Sequence, residues 1–261
     1  MDLQNRSALV TGAGSGIGRA AAVRLAARGA AVAVVAHDLE SAAATVHLIL
    51  AAGGTARPYA VEMGQPESIA QLYDDVADRF DELDVVVANA GINGVWAPIA
   101  ELTVEEWTRT LSVNLTGTFL TVKYAMPLMR AADRSSVIIT SSVNGTRVFS
   151  NSGASAYSSS KAGQVAFAKM AAVELARDGI RVNVVCPGAI DTEIGDNTEH
   201  RHTEGLRIPV QFPAGKIPLT GERPGTSDQV AELICFLASD AASHITGTEV
   251  WIDGAESLLV G

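Results

Sequence analysis

Thr11-Gly12-Ala13-Gly14-Ser15-Gly16-Ile17-Gly18 lies between a short apolar run, Ser7–Val10, and an alanine-rich stretch, Arg19–Arg28. Strand, glycine turn and helix in that order are the context a phosphate-binding fingerprint requires; a glycine cluster alone marks only a turn. Gly12 permits the tight turn, Gly16 lets the backbone approach a pyrophosphate, and Gly18 allows helix to pack closely on strand. The helix amino terminus, with Ser15 and Ile17 among these glycines, then offers free N–H groups to the anion.

Outward from this turn the chain alternates. Ala31–Val35 reads as a second strand, Leu39–Ala52 as a helix, Ala56–Val61 as a third strand, and Pro66–Arg79 as a helix opened by a proline. Val85–Ala88 is a buried strand that runs into Asn89-Ala90-Gly91. Thr103-Val104-Glu105-Glu106 has the capping-box pattern and starts a helical stretch to about Ala131. Ser136–Thr140 and Val182–Val185 are further strands, Tyr157–Arg177 and Asp228–Ala238 helices, and Glu249–Ile252 a last short strand.

No internal repeat or low-complexity linker interrupts this order, and 261 residues with 48% hydrophobic side chains suit one large core. The prediction is a single α/β domain over 1–261, a doubly wound, mostly parallel seven-stranded sheet with helices on both faces. Only Glu193–Gly225 breaks the rhythm: it is polar, carries several prolines and is longer than an ordinary connection. It follows the sixth strand, at the carboxyl edge of the sheet where ligands bind in this architecture, and is expected to be a substrate lid.

A net charge of −10 argues against nucleic acid or an anionic membrane as partner, since both need a positive patch. No apolar run reaches the roughly 20 residues that span a bilayer. The opening Met-Asp-Leu-Gln-Asn-Arg has no basic segment leading into an apolar one, so no signal peptide is expected and the default location is the cytoplasm. Cys186 and Cys235 sit in apolar segments and read as buried, reduced thiols. His200 and His202 lack further ligands of defined spacing, so no metal site is expected.

Ser155-Ala156-Tyr157-Ser158-Ser159-Ser160-Lys161 carries the candidate chemistry. Tyr157 and Lys161 are four residues apart and leave one face of a helix that starts here. A nearby ammonium favours the phenolate and is expected to lower the phenol pKa from about 10, making Tyr157 a candidate acid/base.

Taken together, the Thr11-Gly-x-x-x-Gly-x-Gly18 turn, Asn89-Ala-Gly91, Asn114, Ser142, Tyr157-x-x-x-Lys161 and Pro187-Gly-x-x-x-Thr192 resemble the short-chain dehydrogenase/reductase family, in its single-domain alcohol and ketone branch. The resemblance covers essentially the whole chain. It implies that Tyr157 exchanges a proton with the substrate oxygen, that Lys161 holds the nicotinamide ribose and lowers the phenol pKa, and that Ser142 orients the substrate oxygen. Ser142 is chosen over Ser141 because the family's serine is the second of such a pair, although the gap to Tyr157 is about two residues longer than the family's. Asn114 resembles the asparagine that ties Lys161 through water to a proton relay; a helix asparagine bonding a local carbonyl is the alternative. Asn89, Ala90 and Gly91 would line the nicotinamide ribose, and Pro187, Gly188, Ile190 and Thr192 the carboxamide end.

The resemblance implies a nicotinamide cofactor, NAD or NADP. Asp38 lies about 20 residues past the third glycine, where an acid would bond the ribose hydroxyls. The slot that usually holds the acid closing the second strand is Ala36, and His37 stands where enzymes of the phosphorylated cofactor often carry arginine. Asp38 would repel a 2′-phosphate, which favours NAD. Glu62 resembles the family's acidic contact to adenine, with Met63 beside it.

Trp96, Phe149, Ile194 and Phe212 fall in loops around the expected site, either as an apolar pocket wall or as loop packing, and Asn144 adds a polar group near Ser142. The resulting reading is an oxidoreductase for a secondary alcohol of sugar, polyol or hydroxy-ketone type. The rivals are a reductase of 3-oxoacyl chains on a carrier protein and a nicotinamide-binding regulator without turnover. The carboxyl-terminal tail resembles a family ending that packs between subunits, which implies a homo-oligomer of four chains.

Overall fold

The computed structural model describes residues 2–206, 212–213 and 215–259. Its strands, in chain order, are β1 (Ser7–Thr11), β2 (Ala31–Ala36), β3 (Thr55–Ala60), β4 (Val85–Ala88), β5 (Val95–Trp96), β6 (Ser135–Thr140), β7 (Ile180–Pro187), β8 (Ile190–Asp191), β9 (Glu199–His200), β10 (Gly225–Thr226) and β11 (Glu249–Ile252). The helices are α1 (Gly16–Ala27), α2 (Leu39–Ala51), α3 (Pro66–Ala77), α4 (Val104–Leu111), α5 (Gly117–Ala131), α6 (Ser155–Leu175) and α7 (Ser227–Ala238).

Seven strands join in one sheet of order β11-β7-β6-β4-β1-β2-β3, all parallel. Successive side chains of a strand point to opposite faces, and the two faces bury different residues. Leu9, Ala33, Val86, Val137 and Val182 pack into one apolar cluster with residues of α3, α5 and α6. Their neighbours Ala8, Val10, Val32, Val34 and Val87 pack into a second with α1, α2 and α7. Being apolar on both sides, the strands belong in the middle of a three-layer fold. The direction of winding reverses between β1 and β4, the switch point where such sheets leave a crevice at their carboxyl ends.

Most elements fall where the sequence puts them, with two informative differences. Helix α1 begins at Gly16 rather than Arg19, so the last glycines of the turn form its first turn. The stretch expected as one helix from Thr103 opens with the capping box: the Thr103 hydroxyl accepts from the Glu106 N–H at 3.2 Å and the Glu106 carboxylate from the Thr103 N–H at 2.9 Å. It is then interrupted by a π-helical turn, Ser112–Thr116, before α5 continues. Such widened turns concentrate at functional sites, and this one holds Asn114.

Within the segment expected as a lid, Glu193–Asn197 forms a 3₁₀ turn and β9 pairs in parallel with β5. The Arg201 N–H donates to the Trp96 carbonyl at 2.9 Å, and its guanidinium pairs with Glu106 and Glu199. Residues 207–211 and 214 of that segment lie outside the described residues.

Candidate active site

A cavity of about 510 Å³ opens at the switch point, within the range of ligand pockets. Its walls bring together Gly12, Ser15, Gly16, Ile17 and Gly18 from the turn; His37 and Asp38 from the end of β2; Asn89, Ala90 and Gly91 from the end of β4; and Pro187, Gly188, Ile190 and Thr192 after β7. Ser142, Tyr157 and Lys161 close its far side. These residues are scattered over the sequence, and parallel strands deliver them to one edge because each strand ends there.

The floor fits a pyrophosphate. Gly12 has φ +64°, and a Cβ there would stand 2.8 Å from the Ala90 Cα, so only glycine keeps the turn against β4. Ser15 precedes α1 without a side-chain cap, which leaves the N–H groups of the first turn for an anion in the cavity. Asn89 stitches the turn to the sheet: its N–H donates to the Thr11 hydroxyl at 3.0 Å and its Nδ2 to the Thr11 carbonyl at 3.1 Å.

At the adenosine end, Asp38 caps α2, accepting from the Ser41 N–H at 2.8 Å and from the Ser41 hydroxyl at 2.9 Å. These hydrogen bonds hold its carboxyl below the usual range and keep it an anion. Glu62 lies outside the cavity walls and reaches it only through His37, 3.2 Å away. The Met63 side chain also stands outside those walls, packed against the core beside Gly117. Arg19 and Ser41 line the cavity without having been singled out. Arg19 donates to the Gly14 carbonyl and, at 3.2 Å, to the Thr45 hydroxyl, so it braces the turn from below.

At the catalytic end, Tyr157 and Lys161 leave one face of α6 and are both buried, with the Lys161 Nζ 5.5 Å from the centre of the Tyr157 ring. The ammonium donates to the Thr140 carbonyl at 3.0 Å, and the Lys161 carbonyl accepts from the Ser141 hydroxyl at 2.9 Å. Ser141 is thus spent on fixing α6 to the end of β6. Ser142 instead accepts from the Asn144 N–H at 3.1 Å, which leaves its own hydrogen free to donate.

Burial pushes the Tyr157 phenol above its ordinary pKa, and the hydrogen bond with Ser142 offsets part of that rise. Burial also lowers Lys161 to about 8. The expectation that Lys161 depresses the phenol is not met: burial sets the direction of the shift, and Ser142 is the group that favours the phenolate.

Asn114 is fully buried behind this pair. Its carboxamide accepts from the Ile92 N–H at 2.8 Å and donates to the Ile92 carbonyl at 2.9 Å and to the Ser160 hydroxyl at 3.0 Å. Its main-chain carbonyl accepts from the Gln164 amide at 2.9 Å and the Thr118 hydroxyl at 2.7 Å. The Thr118 bond stays within its own helical stretch; the others pin the strand-end loop to α6, and none goes to Lys161 directly.

A second cavity of about 660 Å³ shares Ser142, Tyr157, Gly188, Ile190 and Ile194 with the first. Trp96 and Asn144 line it, Trp96 between Tyr157, with ring centres 6.4 Å apart, and His200, 5.3 Å away edge-on. Phe212 is in the wall as well, together with Lys216 and Glu256, which no local motif announced. Two cavities meeting at a hydroxyl pair permit proton exchange with an oxygen in one and electron exchange with a ring in the other.

Comparison with known proteins gives the arrangement a lineage. A family model described as enoyl-(acyl carrier protein) reductase matches residues 12–255. The chain is 41% identical over 251 residues to a cis-4-hydroxycyclohexanecarboxylate dehydrogenase of Sinomonas cyclohexanicum, covering 95% of each. It is 35% identical to a cyclohexanol dehydrogenase of an Acinetobacter strain, covering 96% of this chain and 94% of the relative. Among solved structures, a 3-ketoacyl-ACP reductase from Sinorhizobium meliloti superposes with a TM-score of 0.93 at 46% identity, over 97% of this chain and 99% of that one.

The chain belongs to the short-chain dehydrogenase/reductase family, the class that this fold and cleft define. More particularly, it is a nicotinamide-dependent oxidoreductase that acts on CH–OH groups and interconverts a secondary alcohol and a ketone.

Proposed function

We propose that the protein oxidises or reduces a small alicyclic alcohol/ketone pair with NAD, using Tyr157 as the general acid/base. The observation that carries this reading is the meeting of the Ser142 and Tyr157 hydroxyls where the two cavities join. Ser142, its oxygen already accepting from Asn144, donates to the substrate oxygen and holds it beside the phenol. Tyr157 gives a proton to that oxygen in reduction and takes one in oxidation. Lys161 is fixed through Thr140 at the edge of the nicotinamide ribose site, and Asn114 keeps the Ile92 loop and α6 in register. When bound, the nicotinamide supplies the two-electron exchange; the protein contributes position and electrostatics.

The Trp96 face, apolar and beside Tyr157, favours a ring-shaped substrate, and two of the relatives named above act on substituted or plain cyclohexanols. Asp38, kept ionised at the adenosine end, favours NAD over a cofactor bearing a 2′-phosphate. We further read the whole chain as one catalytic domain with the 193–225 segment as its lid. The outer side chains Phe119, Met170 and Val173 are exposed apolar groups on α5 and α6, which supports a homotetramer; the cytoplasm is its proposed location.

The test is spectrophotometric: NAD or NADP with cyclohexanol and related alcohols, following the reduced cofactor. Tyr157→Phe should lower turnover by about 10³-fold while cofactor affinity stays within a few-fold. Wild-type turnover in the variant would reject the assignment. The likeness to the 3-ketoacyl-ACP reductase supports a second reading, reduction of carrier-bound 3-oxoacyl chains. Faster turnover of a 3-oxoacyl thioester than of any ring ketone would favour it.

A further inference from the structure

The hydrogen-bonding state of the substrate cavity says more about its ligand than its shape does. Several acceptors in its wall are already engaged. The Asn144 Oδ1 accepts from the Asn151 Nδ2 at 2.7 Å, and the Ser142 oxygen from the Asn144 N–H at 3.1 Å. One oxygen of Glu256 accepts from the Ala189 N–H at 2.9 Å, and the other lies 3.3 Å from the Lys216 Nζ. Several donors remain. Asn144 keeps both hydrogens of its Nδ2, and the Lys216 ammonium keeps two of three after pairing with Glu256.

A wall that carries a cationic side chain with donors to spare suits a ligand that brings acceptors. A ketone oxygen at Ser142 and Tyr157 satisfies one end. The donors at Lys216 and Asn144 are left for a second, purely accepting group, and a carboxylate makes the strongest such bonds. Glu256 does not cancel this site, because Ala189 holds it against the main chain and it fixes the ammonium at the cavity wall.

We propose that the substrate is a hydroxy acid and its oxo acid, whose carboxylate is bound by Lys216 and the side-chain amide of Asn144. This rests on the alcohol/ketone reading of the same site and adds the second group that the cavity recognises. Lys216 and Asn144 are then specificity-determining residues, remote from the proton exchange itself.

The test compares 4-oxocyclohexanecarboxylate with its methyl ester, which keeps the ring and ketone but loses the charge. In the wild type kcat/KM should favour the acid, and Lys216→Met should lower the acid-to-ester ratio about tenfold, with a smaller fall for Asn144→Ala. A ratio unchanged in both Lys216→Met and Asn144→Ala overturns the carboxylate site while leaving the oxidoreductase reading intact. If neither ketone is turned over, quenching of tryptophan fluorescence by cyclohexanecarboxylate with cofactor present reads the site independently. Loss of that quenching in Lys216→Met supports it, and equal quenching in both proteins overturns it.

Discussion

Lys161 points its ammonium at the carbonyl oxygen of Thr140, 3.0 Å away, and so ties the first turns of α6 to the last residue of β6. The same side chain is almost wholly buried, and the two facts together define its character: a hydrogen-bonded amine in a poorly solvated place, lowered to about 8. Its neighbour Tyr157 is moved the opposite way on the pH scale by the same burial.

The amine should leave a mark on stability. Below pH 8 the folded protein holds a buried ammonium at a cost; between about 8 and the ordinary 10.5 the unfolded chain binds a proton that the folded one does not. The contribution of this amine to stability therefore rises with pH across that window, by an amount on the order of 3 kcal/mol, and should be missing in Lys161→Met. The raised thiols of Cys186 and Cys235 and the raised phenol of Tyr157 act with opposite sign in both proteins, so urea unfolding of the two is compared at pH 8 and 10 and the difference between them is read. Parallel pH dependence in both proteins would contradict the burial argument.

Ser142 eases ionisation of Tyr157, and the proposed function has it orient the substrate oxygen as well. Ser142→Ala should lower kcat by about 10²-fold, the usual effect of losing one donor to a reacting oxygen. It should also move the alkaline limb of the oxidation rate to higher pH, because the phenol loses the bond that favours its anion. The pH–rate profiles of the two proteins check both.

Gly12 has a positive φ and no room for a side chain. Gly12→Ala must strain the turn or push it from Ala90, at a cost of about 2 kcal/mol or more, and should weaken NADH binding even where the protein folds. Fluorescence titration with NADH and thermal unfolding separate the two effects.

Burial pushes the Cys186 thiol up to about 12 and the Cys235 thiol up to about 11, so neither forms a thiolate near neutrality. The folded protein should not react with a thiol-specific disulfide reagent at pH 8, and both cysteines should react in denaturant.

The sheet and its crevice were legible because their signals are local. Ser7–Thr11 followed by glycines at 12, 16 and 18 specifies strand, turn and helix within a few residues, and apolar strands without alternation specify burial on both faces. Tyr157 and Lys161 were legible for the same reason, since a four-residue spacing fixes a shared helix face. What was not legible depends on distant chain. The balance between burial and charge at Tyr157 is set by everything that encloses it, so the direction of its shift could not be read from the proximity of one lysine. Met63 follows β3 directly, yet the packing of α5 takes its side chain away from the cleft. Lys216 and Glu256 meet the cleft from the end of the chain, and only folding brings them together.

The π-helical turn at Ser112–Thr116 carries one residue more than a regular turn would need. Deleting a single residue there would let the backbone relax into unbroken α-helix, closing the widened turn and displacing the Asn114 carbonyl that it presents. The Gln164 and Thr118 donors would then face empty backbone, and the Ile92 loop would lose its anchor. Shortening the chain at this point is thus more damaging than most substitutions within it.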